Sequence, residues 1–154
     1  MIVIDGPAEL RGELKVQGAK NSTLPLLAAT VLCRGQTVLH NCPRLSDVET
    51  AVQILEHLGS RCHWQGDSLV VDNSMTCSQV PPDLMREMRS SIVFLGAIVA
   101  RCGQAELCFP GGCELGPRPI DLHIEALQKL GVQIEESGGC LHCQAPEGIC
   151  GTYI

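Results

Sequence analysis

Two stretches of the sequence repeat one order of predicted elements, and this repeat constrains the fold more than any other feature. Each stretch begins with a helix of small and apolar residues (22–33 and 90–102), which is followed by a glycine, a short strand, a loop and an amphipathic helix. We expect Gly35 and Gly103 to end the two first helices. Two further short strands close each copy. A period of this length, containing both helices and strands, predicts a duplicated α/β module.

The two copies differ in length at one place. The second copy lies 68 residues after the first at Gly35 and Gly103, but 72 residues after it at Gly59 and Gly131. We therefore expect four additional residues in the second copy's loop, "PGGCELGPRP", at 110–119. Loops that lengthen on a repeated scaffold often carry the function.

The composition excludes several classes of protein. A chain of 154 residues with 45% apolar residues can bury one sizeable core. Its net charge of −6 argues against non-specific nucleic-acid binding, which needs a basic surface. The sequence has no apolar run of about 18 residues, and its start does not resemble a secretory signal. We therefore expect a cytoplasmic protein with neither nucleic acid nor membrane as a partner.

Ten cysteines raise the question of disulfides or metal binding. Disulfide-rich secreted domains are usually shorter than this chain. The only closely spaced pair is in Cys140-Leu141-His142-Cys143, and no second pair follows at the spacing of a zinc site. We therefore expect most of the cysteines to be small buried apolar residues.

Cys113 differs from the other cysteines because it lies in the long loop, among Gly111, Gly112, Glu114 and Gly116. A packing role is the ordinary alternative, but this stretch is too flexible and too polar for a core. An exposed thiol near cationic groups gains thiolate character or acts as an acid. We therefore expect Cys113 to have a chemical role.

The residues after Cys113 lead into a predicted helix. Arg118 suits a phosphate or carboxylate, with a solvated loop cation as the alternative, and Pro119 suits the first helical position. Asp121 either contacts a ligand or complements the helix dipole. His123 either acts at the site or is a partly buried helix residue.

Cationic residues lie at the start of the first helix in both copies. The repeat places Asn21 opposite Arg89, with Lys20 beside it, and helix N-termini are suited to anions. Asn21 has an alternative role as a helix N-cap. We expect Arg44 and Asp47, in the shorter loop of the first copy, to be surface and capping residues.

Three motifs carry a resemblance to a known family: "GAKN" at 18–21, "MRSS" at 88–91 and "PGGCELGPRPIDLHI" at 110–124. The chain resembles, over essentially its whole length, the UDP-N-acetylglucosamine 1-carboxyvinyltransferases, which are the enolpyruvyl transferases that open peptidoglycan synthesis. The resemblance implies an inside-out α/β barrel of the enolpyruvyl transferase type, built from repeated βαβαββ-like units. Two such units are present here.

The resemblance also implies a division of the chain. Family members are much longer, so the chain resembles an amino-terminal fragment that is inactive alone. Residues 1–19 would be a strand segment that packs on the other, absent domain. Residues 20–154 would be a partial domain with repeats at about 20–80 and 81–154. The catalytic aspartate and a further phosphate-binding arginine would lie in the missing carboxy-terminal portion of the chain.

The chemistry that the resemblance implies is transfer of enolpyruvyl from phosphoenolpyruvate to the 3′-hydroxyl of UDP-N-acetylglucosamine, with release of phosphate. Cys113 matches the family's general acid, which is also the residue alkylated by the epoxide antibiotic fosfomycin. Lys20 and Arg118 match contacts to phosphate and carboxylate. The other implied substrate contacts are Asn21, Arg89, Pro119, Ile120, Asp121, Leu122 and His123. No metal and no cofactor is called for.

Three alternatives stay open. The sibling shikimate-pathway enolpyruvyl transferase shares the fold and the type of chemistry, but it is not known for a "PGGC" loop. A non-catalytic binding or interaction fragment is the second alternative. A thiol redox protein is the third, although such a protein would carry a CxxC motif beside a helix start, which "GGCE" is not.

Overall fold

The computed structural model describes residues 2–7, 9, 11–109 and 120–153. Its first unit consists of α1 (Lys20–Thr30), β1 (Gly35–Leu39), α2 (Ser46–His57), β2 (Arg61–Gln65) and β3 (Ser68–Asn73). Its second unit consists of β4 (Gln79–Val80), α3 (Pro82–Glu87), a 3₁₀ helix (Arg89–Ile92), α4 (Val93–Cys102), β5 (Gln104–Cys108), α5 (Asp121–Lys129), β6 (Gln133–Ser137) and β7 (Cys140–Gln144).

The two units share one strand arrangement. The first sheet has the order β1-β3-β2, and both neighbouring pairs are antiparallel. In the second sheet β5, β7 and β6 repeat this order and direction, and β4 adds a parallel strand beside β5. The prediction of a duplicated α/β module is therefore confirmed.

The helices and one face of each sheet enclose a single aliphatic core. Side chains of β5 and β7 alternate between the two faces of the sheet, so Ala105, Leu107, Leu141 and Cys143 are buried. Helix α1 packs against both α2 and α4, which joins the two units through their first helices. Phe94 in α4 is fully buried within this core.

The predicted end of the first helix is wrong in one copy. Gly103 caps α4 in the left-handed conformation, with a φ of 72°, as expected. Gly35 is instead the first residue of β1, and α1 already ends at Thr30. The chain beyond Thr30 turns through i→i+3 hydrogen bonds, such as the one from Cys33 N–H to the Thr30 carbonyl. These tighter turns complete the helix end without a glycine.

The second unit has a longer connection between its strand and its second helix, and its second helix is shorter. The connection between strand and second helix covers residues 40–45 in the first unit and 109–120 in the second. Helix α5 has 9 residues, whereas α2 has 12. The four additional residues that we expect fall within 110–119, which lie outside the described residues.

The expectation that most cysteines are buried is also wrong. Within the described residues only Cys42 and Cys143 are buried among the free thiols, whereas Cys33, Cys102 and Cys150 are exposed. Cys108 and Cys140, directly opposite each other on β5 and β7, form a disulfide. The sequence does not predict this pairing, because the two cysteines are 32 residues apart and only the register of β5 and β7 brings them together.

Zinc binding by Cys140-Leu141-His142-Cys143 is not supported by the strand geometry. These residues lie in β7, where Leu141 and Cys143 are buried while Cys140 and His142 point to the other face. No group of three or more potential metal-binding side chains occurs in the described ranges.

The segment before α1 lies outside both sheets. Residues 2–7, 9 and 11–19 contain no strand, and apolar side chains such as Ile4 and Leu14 are exposed. Whether this segment packs on another domain stays a prediction.

None of the described helices has the length and apolar character needed to cross a membrane.

Candidate functional site

Lys20 is the first residue of α1, where its ammonium group meets α2. Its Nζ donates a hydrogen bond to Oδ2 of Asp47, in the first turn of α2, at 2.7 Å. The side chains are 44% and 26% exposed, so the pair lies at the surface but is partly covered. The two helix starts are therefore linked by an ion pair.

A close backbone approach brings Lys20 to this position. A Cβ atom at Gly18 would overlap the carbonyl oxygen of Asn41 and would lie 3.2 Å from Cδ of Pro43. Only glycine therefore allows the chain before α1 to lie against the loop that precedes α2. This contact explains the glycine of the "GAKN" motif in steric terms.

Neither Asn21 nor Asp47 acts as a helix cap. The N-caps are Ala19 for α1 and Leu45 for α2, and neither helix has a side-chain cap hydrogen bond. The exposed Asn21 lies within the first turn of α1. The first N–H groups of α1 therefore have no side-chain acceptor within the described residues, which preserves the positive end of the helix dipole.

Arg89 begins the 3₁₀ helix that leads into α4, and the residues around it are firmly packed. Met88 and Ser91 are fully buried, and the Ser91 hydroxyl donates to the Met85 carbonyl at 3.1 Å. Arg89 itself is half-buried, and its Nε is buried without a hydrogen-bond partner among the described residues. A buried guanidinium nitrogen that has no partner is costly, which favours a role in binding an anion.

The start of α5 lies beside the element that Arg89 begins. His123 lines a groove of about 290 Å³ together with Ile92 and Val93. Asp121 and Leu122 are exposed in the first turn, and the Leu122 side chain is 79% exposed.

Ile120, the N-cap of α5, has its side chain in the core. Any ligand contact of Ile120 would therefore come from its main chain. Helix α5 begins at Asp121, which therefore occupies its first helical position.

The structure brings the expected site residues together in two groups. Lys20 and Asn21 lie at the start of α1, with Asp47, whereas His123 lies beside Ile92, the last residue of the 3₁₀ helix that Arg89 begins. Within the described residues, no side-chain hydrogen bond joins the two groups. The predictions for Cys113, Arg118 and Pro119 lie outside the described residues.

Asp47 is the residue that sequence reasoning missed. A weak signal was available, because the pattern Pro-Arg-x-x-Asp occurs at 43–47 and again at 117–121. The two occurrences are 74 residues apart, which is two residues out of register with the offset of 72 that follows the loop. Arg44 is a surface residue as expected, but it is ordered by stacking on Trp64, with its Cζ atom 4.5 Å from the ring centroid.

Several of the described thiols are poorly suited to reaction as thiolates. Burial, with a smaller effect of Glu56, raises the pKa of Cys62 to about 12. Burial alone raises the pKa of Cys143 to about 11. The pKa of Cys42 is also raised, chiefly by burial, and the pKa of Cys102 is raised chiefly by partial desolvation of its thiol, although the residue as a whole is exposed. These four thiols stay protonated near neutral pH.

Comparison with known sequences identifies many relatives of one activity. "UDP-N-acetylglucosamine 1-carboxyvinyltransferase 2" of Caldanaerobacter subterraneus subsp. tengcongensis is 53% identical over 142 residues, which cover 92% of this chain and 34% of the relative. The UDP-N-acetylglucosamine 1-carboxyvinyltransferase of Deinococcus deserti is 44% identical over 153 residues, covering 98% of this chain and 36% of the relative. The chain thus spans about a third of the length of the curated relatives it matches.

Solved structures share the fold. The enolpyruvyl transferase NikO from Streptomyces tendae superposes with a TM-score of 0.76 at 23% identity, over 92% of this chain and 31% of that chain. An EPSP synthase from Acinetobacter baumannii superposes with a TM-score of 0.62 at 15% identity, over 86% of this chain and 32% of that chain. The expected enolpyruvyl transferase fold is therefore confirmed.

A family model also matches almost the whole chain. The model is described as EPSP synthase (3-phosphoshikimate 1-carboxyvinyltransferase), and it covers residues 4–148. The chain belongs to the EPSP synthase (3-phosphoshikimate 1-carboxyvinyltransferase) family.

Proposed function

We propose that this chain is part of a UDP-N-acetylglucosamine 1-carboxyvinyltransferase, which transfers enolpyruvyl from phosphoenolpyruvate to the 3′-hydroxyl of UDP-N-acetylglucosamine. The observation that carries the proposal is the 53% identity, over 92% of the chain, to a relative of that name. The reaction would open peptidoglycan synthesis, and we place it in the cytoplasm. The remaining two thirds of the relatives' length would be supplied by the rest of the protein.

The reaction proceeds by addition and elimination. The acceptor hydroxyl gives its proton to a base outside this chain, which the resemblance implies is an aspartate, and its oxygen attacks C2 of phosphoenolpyruvate. The thiol of Cys113 protonates the methylene carbon in the same step, which gives a tetrahedral ketal. A base then takes a proton from the new methyl group, the bond from C2 to the phosphate oxygen breaks, inorganic phosphate leaves and the double bond is restored. The thiolate of Cys113 regains a proton before the next turnover. A thiol with an ordinary pKa near 8.5 holds a proton at neutral pH and can release it in such a step.

The cationic residues bind the two anionic substrates. Lys20 and Arg118 contact the phosphate and carboxylate of phosphoenolpyruvate, and Arg89 contributes a further cation in the cleft. The geometry supports the roles of Lys20 and Arg89, because Lys20 lies at an uncapped helix start and Nε of Arg89 is buried without a partner among the described residues.

The nucleotide-sugar binds along the stretch from Arg118 to His123, with Asn21 as a further contact. The exposure of Asp121 and Leu122 in the first turn of α5 supports this role. Ile120 would contribute its main chain, because its side chain is buried. No residue in this mechanism requires a metal or a cofactor.

The second candidate is the sibling activity on shikimate 3-phosphate, because the matching family model carries that name. A phosphate-release assay on the whole protein decides between the two. We expect phosphoenolpyruvate-dependent release with UDP-N-acetylglucosamine and none with shikimate 3-phosphate. The reverse pattern would establish the sibling activity, and release with neither acceptor would favour a binding or interaction role.

The chain alone should be inactive in this assay. Placing a substrate between two sides of a cleft lowers the barrier by several kcal/mol, and residues outside this chain would form one of those sides. Turnover by the 154-residue chain alone would contradict this part of the proposal.

A further inference from the structure

The ion pair between Lys20 and Asp47 adds a residue to the proposed site. Nζ of Lys20 and Oδ2 of Asp47 are 2.7 Å apart, across 27 residues of sequence. We propose that Asp47 is a positioning residue, which holds the Lys20 ammonium group in place for the phosphate of the substrate. This inference rests on the proposed function.

The ammonium group of Lys20 has N–H donors that remain available for a ligand. An ammonium group has three N–H donors, and Asp47 accepts one of them. Nζ has no second hydrogen-bond partner among the described residues, and the side chain is 44% exposed. The pair therefore fixes the direction of the lysine while two donors stay accessible.

Both ends of the pair are attached to rigid elements. Lys20 is the first residue of α1, and Asp47 lies in the first turn of α2, where the helix dipole stabilises its carboxylate. Helices α1 and α2 pack against each other, and Gly18 lies against Asn41 beside them. The carboxylate thus presents a fixed acceptor to a long, flexible side chain.

Two effects of Asp47 on anion binding oppose each other. Its negative charge repels a phosphate, but this repulsion is weak because the pair is partly exposed to water. Its hydrogen bond orders a four-carbon side chain before the substrate arrives, which removes the entropy cost of ordering that chain on binding. We infer that the ordering effect is the larger.

The test compares variants of the whole protein in steady-state kinetics. Asp47→Asn should raise KM for phosphoenolpyruvate about fivefold, which is the loss expected when one long side chain must be ordered on binding. KM for UDP-N-acetylglucosamine should not change. Asp47→Glu should restore part of the loss, because a carboxylate remains within reach of Lys20. Glu49→Gln is the matched control, since it removes the same charge from the same helix turn.

A double-variant cycle separates positioning from a structural role. If Asp47 acts through Lys20, Asp47→Asn should have no further effect in a Lys20→Met background. A fall in KM for phosphoenolpyruvate on Asp47→Asn would overturn the inference, because it would show that Asp47 competes with the substrate. A rise in both KM values that persists in the Lys20→Met background would overturn it as well.

The proposed function is judged separately, by wild-type turnover with the two acceptors. If neither acceptor is used, the same variants are compared for their affinity for inorganic phosphate by calorimetry. Asp47→Asn should then weaken phosphate binding by the same factor of about five. Equal affinity in wild type and variant, or no phosphate binding to the wild type, would overturn the inference.

Discussion

Gly18 and Asn41 lie so close together that no side chain fits between them. A Cβ atom at Gly18 would overlap the Asn41 carbonyl oxygen, and the neighbouring contacts are to backbone and to the proline ring of Pro43. None of these atoms belongs to the mobile end of a flexible side chain. The contact sets the path of the chain into α1, and with it the position of Lys20.

Gly18→Ala should therefore destabilise the protein and disturb the anion site. We expect the free energy of unfolding to fall by about 1 to 3 kcal/mol, as for other substitutions that overfill a packed site. Chemical denaturation of the two proteins measures this difference. Gly151→Ala is the control, because a Cβ there meets no atom within 4 Å. Equal destabilisation by the two substitutions would show that the Gly18 contact is not a constraint.

The disulfide between Cys108 and Cys140 should stabilise the second sheet under oxidising conditions. The bond closes a stretch of 32 residues, and the loss of chain entropy in the unfolded state corresponds to about 3 to 4 kcal/mol. Cys140→Ser should lower the free energy of unfolding by that amount in oxidising buffer, and by far less with a reductant present. In a reducing cytoplasm the pair would remain two thiols.

Peptide mapping without reduction gives a direct check of the pairing. The peptides containing Cys108 and Cys140 should be recovered as one linked species, whereas the exposed Cys150 should be alkylated. Recovery of both peptides alkylated from an oxidised sample would refute the pairing.

The rates at which Cys62 and Cys143 are alkylated should keep rising at pH values where an ordinary thiol is already fully ionised. Burial raises their pKa values to about 12 and about 11, so their thiolate populations continue to grow well above pH 8.5. The labelling rate should therefore rise about tenfold per pH unit up to the raised pKa, provided that the protein stays folded. An ordinary thiol levels off near its pKa of about 8.5.

Labelling with iodoacetamide, followed by peptide mass spectrometry, measures these rates residue by residue. At pH 8 the rate for Cys62 should be roughly a thousandfold below that in the unfolded chain, from the pKa difference alone. A plateau for Cys62 near pH 8.5 would mean that its half-buried thiol is not desolvated enough to raise its pKa.

The repeat could be predicted from sequence because glycines and apolar periodicity are local signals. Gly103 ends α4 as expected, and Lys20 and Arg89 lie at the starts of their helices. The end of α1 at Thr30 could not be predicted, since its closing i→i+3 hydrogen bonds have no residue signature. The Cys108–Cys140 pair was hidden for a different reason, because only the register of β5 and β7 brings these residues together.

The candidate site shows the same division between local and non-local signals. The anion-binding character of Lys20 follows from its charge and its place at a helix start. Its partner Asp47 lies on another helix, and the Pro-Arg-x-x-Asp pattern that contains it is out of register with the glycines and apolar positions of the repeat. The tertiary structure is therefore needed to identify residues that act through a neighbour.

The most direct test of the account is the effect of removing the Cys113 thiol from the whole protein. We expect Cys113→Ser to lower kcat for enolpyruvyl transfer to UDP-N-acetylglucosamine by roughly a hundredfold to ten-thousandfold, the usual contribution of a general acid. Cys33→Ser, which removes an exposed thiol outside the proposed site, should leave kcat unchanged. If Cys113→Ser turns over UDP-N-acetylglucosamine at the wild-type rate, the thiol does not supply the proton and the central claim is contradicted.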